Sequence, residues 1–207
     1  MSDRPDIHER VLSASSTGEL MAIYDEWALA YEEDVAETWG YHGPAAAIEQ
    51  LINYVQPAGT SVLDAGCGTG LVGALLKDRG FADIHGIDYS AGMLAEATKK
   101  SIYSSLEQAD MNRPLPLNSD IYDAVTCVGT FTGSHVKPEA FRELARVTKP
   151  GGILSCTVRT DYWEASNCRN LLIEMDVAGE VVIEEIRKEP YILSENSTCH
   201  LVLLRVC

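Results

Sequence analysis

The stretch VLDAGCGTGLVGALL, residues 62 to 76, constrains this chain more than any other. It runs apolar, then acidic, then sets Gly66, Gly68 and Gly70 within five residues, and returns to apolar residues at helical spacing. A strand, a glycine loop and a helix in that order make a ligand cradle at the carboxyl end of a strand in an open α/β sheet. Glycines there permit unusual dihedrals and let the backbone approach whatever lies in front of it. The plain alternative is a tight turn between two elements, and one short glycine motif does not separate the two.

The flanking pattern favours the cradle. Strand-like runs at 60–65, 82–88, 105–110, 120–129 and 152–159 alternate with helical patterns at 71–79, 91–100 and 138–148. Gly80 closes the first of these helices; Pro138 opens the third, and Lys149-Pro150-Gly151-Gly152 stops it. Asp161 and Glu164 suit the N-cap and third position of a further helix running to about Ala178. This rhythm predicts a mostly parallel sheet covered on both faces. The ending differs, because 181–190 and 198–206 read as strands joined without a helix, which predicts an antiparallel pair. Upstream, Ser16 with Glu19 has capping-box spacing before a helical pattern to about Glu37, and Pro44 opens a second helix to residue 55.

Composition narrows the function classes. The 207 residues make one domain with a single core. Sixteen basic against 31 acidic residues leave a net charge of −15, so stable binding to nucleic acid is not expected. No apolar run approaches the ~20 residues of a membrane helix, and the first 20 residues lack an apolar signal core, so a cytoplasmic protein is expected. The six cysteines form no C-x-x-C pair and read as small hydrophobes in a reducing compartment, not as a metal site.

The spacing of the glycines carries the next step. The dinucleotide fingerprint G-x-G-x-x-G would need glycine at 71, where Leu71 stands; the third glycine comes one residue early, behind Asp64. The second strand ends HGIDYS, and its Asp88, 22 residues after Gly66, can accept from both hydroxyls of a ribose, although nicotinamide enzymes use the same acid. The third strand ends EQADMN, where Asp110 either accepts from an adenine amine or simply closes an Asx turn. The fourth, YDAVTCVGTFTGSHV, is an apolar strand opening into a loop of Gly, Thr and Ser.

These segments, with LDAGCGTG, GIDYSAGML and YDEWALAYEEDV, resemble class I S-adenosylmethionine-dependent methyltransferases over essentially the whole chain, less so after about residue 160. The resemblance implies a Rossmann-like seven-stranded sheet in the order 3-2-1-4-5-7-6 with strand 7 antiparallel. It implies an N-terminal helical cap, residues 1–56, over a cofactor-binding core, residues 57–207. It also assigns roles. Asp64, Ala65, Gly66, Gly68 and Gly70 shape the methionine site, Asp88 holds the ribose, Tyr89 and Met93 flank the adenine, Asp110 and Met111 read its edge, and Gly129 faces the methyl. Tyr24, Trp27 and Tyr31 belong to the cap, where helical spacing sets them on one face, either to close on the cofactor or to pack the cap onto the core.

The sulfonium cofactor is already an activated donor, so no catalytic motif is obligatory. His135, after the fourth strand, is the candidate base. Tyr41, His42, Tyr162 and Trp163 are candidates to line the same cleft. Methyl transfer to a small molecule by a monomer or weak dimer is the leading expectation. A cofactor-binding regulator without turnover is the second. A nicotinamide reductase is the third and weakest, since no tyrosine has lysine four residues later.

Overall fold

The computed structural model describes residues 7, 10–11, 13–14, 17–32, 34, 39–133 and 136–207, the side chains of Thr17 and Met21 excepted. Ser16, Glu33 and His135 therefore lie outside the described residues, and with them the expected cap and the candidate base.

Seven strands form one sheet: β1 (Ser61–Ala65), β2 (Asp83–Asp88), β3 (Ser105–Gln108), β4 (Tyr122–Phe131), β5 (Thr148–Arg159), β6 (Val181–Pro190) and β7 (Thr198–Val206). Their order is β3-β2-β1-β4-β5-β7-β6. The first five pair in parallel, and β7 runs antiparallel to both β5 and β6. The helices are α1 (Thr17–Trp27), α2 (Gly43–Leu51), α3 (Leu71–Asp78), α4 (Ala91–Lys99), α5 (Ala140–Val147), α6 (Thr160–Ala165) and α7 (Cys168–Val177). A strand covered on both sides must be apolar on both sides, and β1 shows it. Leu63 joins Val125, Leu154 and the helix residues Phe141, Leu144 and Met175 in one core. Its neighbour Val62 joins Ala124, Ile153, Leu201, Ile48 and Leu76 in the other. Each fully buried aliphatic side chain of this kind contributes about 1.5–3 kcal/mol.

Three expectations change. The first helix is interrupted after Trp27 by a turn over 28–30, in which the Ala30 amide donates to the Trp27 carbonyl at 2.9 Å; Tyr31 and Glu32 are helical again, and the expected end near Glu37 lies outside the described residues. Trp27 packs on Trp39 (centroids 5.2 Å) and donates its indole N–H to Asp34 at 2.9 Å, which ties the end of this helix to the segment after it. The Lys149-Pro150-Gly151-Gly152 stop follows the end of its helix at Val147 as expected, but the next strand begins before it: β5 starts at Thr148 and pairs Thr148 with Tyr122 and then Ile153 with Ala124. The extra residues on β5 bulge out, so the proline needs no ladder bond. The helix from Asp161 to Ala178 is two helices broken at extended Ser166, whose hydroxyl accepts from the Cys168 amide at 3.3 Å. Asp161 lies inside the first turn of the first of them rather than at its N-cap, where it accepts from the Tyr162 amide at 2.8 Å and pairs with Arg159 at 3.1 Å.

Five cysteines are buried and Cys207 is exposed, all of them free thiols. Among the described residues no helix is long and apolar enough to cross a membrane.

Candidate active site

A cleft of about 100 Å³ lies at the carboxyl ends of β1 to β4, beneath the side chains of α1 and the turn after it. Of the residues expected at a cofactor, Tyr24, Tyr31, Gly66, Gly68, Asp88, Tyr89, Met93, Asp110, Met111 and Gly129 line it. Trp27, Asp64, Ala65 and Gly70 do not. Leu20, Ala109, Asn112, Val128, Thr130 and Val136 line it without having been singled out.

The front of the glycine loop explains the first group. Gly68 has φ +53, and a side chain there would meet nothing within 4 Å, so this backbone faces open space. The loop is pinned by the Gly66 and Cys67 amides, which donate to the Ile87 carbonyl at 2.8 and 3.0 Å. Asp88 accepts from the Gly68 amide at 2.9 Å and the Ser90 amide at 2.8 Å. Burial raises its carboxyl above the usual range, against the backbone bonds that favour the charged form. Each oxygen still has a lone pair for a ligand hydroxyl. Buried Met93 and Met111 give the cleft apolar walls, and half-exposed Tyr89 stands at its rim. Asp110 fits both of its readings: it accepts from the Asn112 amide at 2.9 Å, an Asx turn, and it lines the cleft.

The back of the loop explains most of the second group. Asp64 is fully buried and accepts from the Tyr103 hydroxyl at 2.7 Å and the Thr126 hydroxyl at 3.3 Å. Burial pushes its carboxyl up to about 7, the hydroxyl bonds opposing. Tyr103 reaches Asp64 by lying against Gly70 and Gly73, and any side chain at Gly73 would collide with its ring and hydroxyl. Tyr103 was not legible from its own surroundings. The available signal was Gly73, a glycine inside a helical run, which marks a close approach.

The cap is held by polar reach as well as by packing. Trp27 is buried among Leu20, Ile23 and Val11 and is a core residue of the cap, not a cleft wall. Asp25 accepts from the Ser90 hydroxyl at 2.5 Å and the Gly92 amide at 2.9 Å, at the start of α4. Glu32 accepts from the Thr69 hydroxyl at 2.6 Å and pairs with Lys100. Asp25 and Glu32 thus tie this segment to the loops that shape the cleft. Tyr24 and Tyr31 are raised above the ordinary phenol range, chiefly by burial, and stay neutral.

The remaining candidates separate. Tyr41 meets Tyr191 behind Gly129. His42 lines a different groove with Leu75 and Leu193. The Tyr162 hydroxyl donates to the Val136 carbonyl at 2.9 Å, steadying a cleft residue, and Trp163 stacks on His200 at 4.6 Å.

A buried acid at the end of β2, an open backbone at Gly68, an acid at the end of β3 and methionine walls between them fit a nucleoside with a ribose diol and a flat base. Comparison with known proteins agrees. Residues 63–156 match the methyltransferase domain family. The chain is 38% identical to human methyltransferase-like protein 27 over 76% of its own length and 66% of that protein's. It is 30% identical to the dTDP-3-amino-3,6-dideoxy-alpha-D-glucopyranose N,N-dimethyltransferase of Streptomyces fradiae, over 74% of its own length and 57% of the relative's. An S-adenosylmethionine dependent methyltransferase from Mesorhizobium loti shares the fold at TM-score 0.61 and 17% identity, over 77% of this chain and 97% of that one. The chain thus spans about two thirds or less of the length of these curated relatives. Sheet order, cleft and relatives converge: the chain belongs to the class I S-adenosylmethionine-dependent methyltransferases.

Proposed function

We propose that the protein transfers the methyl group of S-adenosylmethionine to a small-molecule acceptor, with residues 1–56 as a cap over the cofactor core of 57–207. The observation that carries this reading is the convergence of Asp88, Gly68, Asp110 and Met111 on one cleft beneath Tyr24 and Tyr31. When bound, the cofactor supplies a sulfonium-activated methyl that leaves the sulfur as the acceptor's lone pair takes it. Asp88 would hold the ribose, Tyr89 and Met93 would flank the base, and Asp110 and Met111 would lie at its edge. The open backbone at Gly68 admits the amino-acid end. Tyr24 and Tyr31 would help keep water from the bound cofactor, and they remain neutral hydrogen-bonding groups because burial keeps their protons on. A small acceptor is supported by the net charge of −15, which repels nucleic acid, and by a Streptomyces fradiae relative whose name specifies a nucleotide amino sugar.

Calorimetry and a methyl-transfer screen test this reading. S-Adenosylhomocysteine should bind and raise the melting temperature while NAD and NADP do neither. Labelled cofactor incubated with a small-molecule extract should then give a labelled product. Binding without any labelled product would make the chain a cofactor-binding regulator.

A further inference from the structure

A groove of about 330 Å³ lies beside the start of α3 and shares no lining residue with the cleft. Three distant segments make it. Pro44 and Ala45 come from the start of α2, Leu71 and Leu75 from α3, and Leu193 from the turn between β6 and β7. The helix explains two of the leucines. α3 turns Val72 and Leu76 into the core, and one position back Leu71 and Leu75, four residues apart, form a second stripe that is only half-buried. Leu193 is 57% exposed. These walls are tied together by backbone. The Leu193 amide donates to the Gly40 carbonyl at 3.2 Å, the His42 amide donates to the Tyr191 carbonyl at 2.9 Å, and Tyr41 bridges to Ile192.

Size and chemistry select the occupant. Small-molecule pockets run from about 300 to 1,000 Å³, whereas a protein interface takes roughly 20–30 residues a side. Eight residues line this groove, so a small molecule fits it and a protein surface does not. No lysine, arginine, aspartate or glutamate is among them, in a chain of net charge −15. A charged head buried there would lose its water without gaining a counter-charge. Two polar side chains stand in the wall. The Tyr41 hydroxyl is engaged with Tyr191, while the His42 imidazole has no hydrogen-bond partner among the described residues and can both donate and accept. A cavity of about 30 Å³ shares Tyr41, Pro44 and Leu71 with the groove, and Gly66 and Gly68 with the cleft. An occupant of the groove therefore sits beside the cofactor and not in its place.

We propose that this groove is a second ligand site, taking an uncharged small molecule with an apolar body against Leu71, Leu75 and Leu193 and a single hydrogen-bonding head on His42. The site goes beyond the methyltransferase reading and does not rest on it.

The test titrates cyclohexylmethanol and benzyl alcohol, with the matched amines and carboxylates, by NMR at pH 8 into the full chain, alone and saturated with S-adenosylhomocysteine. The alcohols should shift amides at 40–45, 71–75 and 191–194, bind about threefold or more tighter than either charged head, and keep their affinity within about threefold when S-adenosylhomocysteine is present. Ala45→Leu fills the groove and Leu193→Ser removes an exposed wall; each should weaken the alcohols about three- to tenfold. His42→Phe keeps a ring and removes the head's partner, and should weaken them about two- to tenfold. The amide spectrum away from the groove reports that each variant is folded. Loss of binding once S-adenosylhomocysteine fills the cleft, preference for a charged head, no binding of either alcohol, or binding that any one variant leaves unchanged overturns the proposal. If S-adenosylhomocysteine itself fails to bind, the methyltransferase reading falls and the titration of the free chain still decides the groove.

Discussion

The front and back of the glycine loop are built from neighbouring residues to opposite ends. At the front, Gly68 faces open space and Asp88 spends its bonds on the Gly68 and Ser90 amides, with lone pairs to spare. At the back, Asp64 is sealed and Tyr103 fills the room that Gly70 and Gly73 leave. The two acids end adjacent strands, yet one opens on a cleft and the other is shut in by a phenol. The glycine-rich loop therefore does two things at once: it leaves open space in the cleft on one side and admits the protein's own Tyr103 on the other. The difference predicts that mutations at the front act on binding, and mutations at the back act on stability.

The largest effect is expected at the front. Asp88→Ala removes two charge-assisted bonds to the ribose, roughly 1–2 kcal/mol each, so S-adenosylhomocysteine affinity should fall about 30- to 1000-fold by calorimetry. Affinity within twofold of wild type would remove Asp88 from the site. The matching change at the back is Tyr103→Phe, which takes a donor from a sealed acid. It should lower unfolding stability in urea by about 1–3 kcal/mol and leave cofactor affinity within about threefold. Equal loss of both would erase the distinction between the faces.

A third measurement reads the back face through pH. Folding raises Asp64 to about 7, above the unfolded value near 3.8, so the native state holds a proton that the unfolded chain has released between those values. The stability tied to that proton is fully present below about pH 4 and is lost as pH rises to 7. Wild type should therefore lose about 1–2 kcal/mol relative to Asp64→Asn between pH 5 and 7. Parallel stability curves for the two proteins would mean that Asp64 does not titrate there.

The smallest effect concerns the cap. Asp25→Ala cuts its bonds to Ser90 and Gly92, which should speed amide exchange over residues 20–32 about two- to tenfold. Added S-adenosylhomocysteine should slow exchange there in wild type, because Leu20, Tyr24 and Tyr31 line the cleft and a bound ligand would hold them against it. Equal protection with and without ligand would make the cap fixed scaffold.

The alternation of strands and helices, the helix-free antiparallel ending and the placement of Gly68, Asp88, Asp110 and Met111 at strand ends were all legible in the sequence. Each depends on neighbours a few residues away: apolar runs, a turn residue, an acid closing a strand. Trp27 shows the limit of such reasoning. Its spacing put it on the face of Tyr24 and Tyr31, and helical periodicity cannot say whether that face meets a ligand or a core. Its burial against Trp39 and its bond to Asp34 decided that. Asp64 was likewise recognisable as an acid at a strand end, but its partner lies 39 residues on in a connecting segment. Tyr191 had no local signal at all, since the residues that place it come from the segment before α2 and from the cleft end of β4. The sequence by itself determined the order of elements and the loop that faces the cleft, because those follow from local periodicity and backbone freedom. Only the tertiary structure decided which acid is sealed, which aromatic is core and which two phenols meet, because each depends on a contact between distant segments that periodicity does not encode.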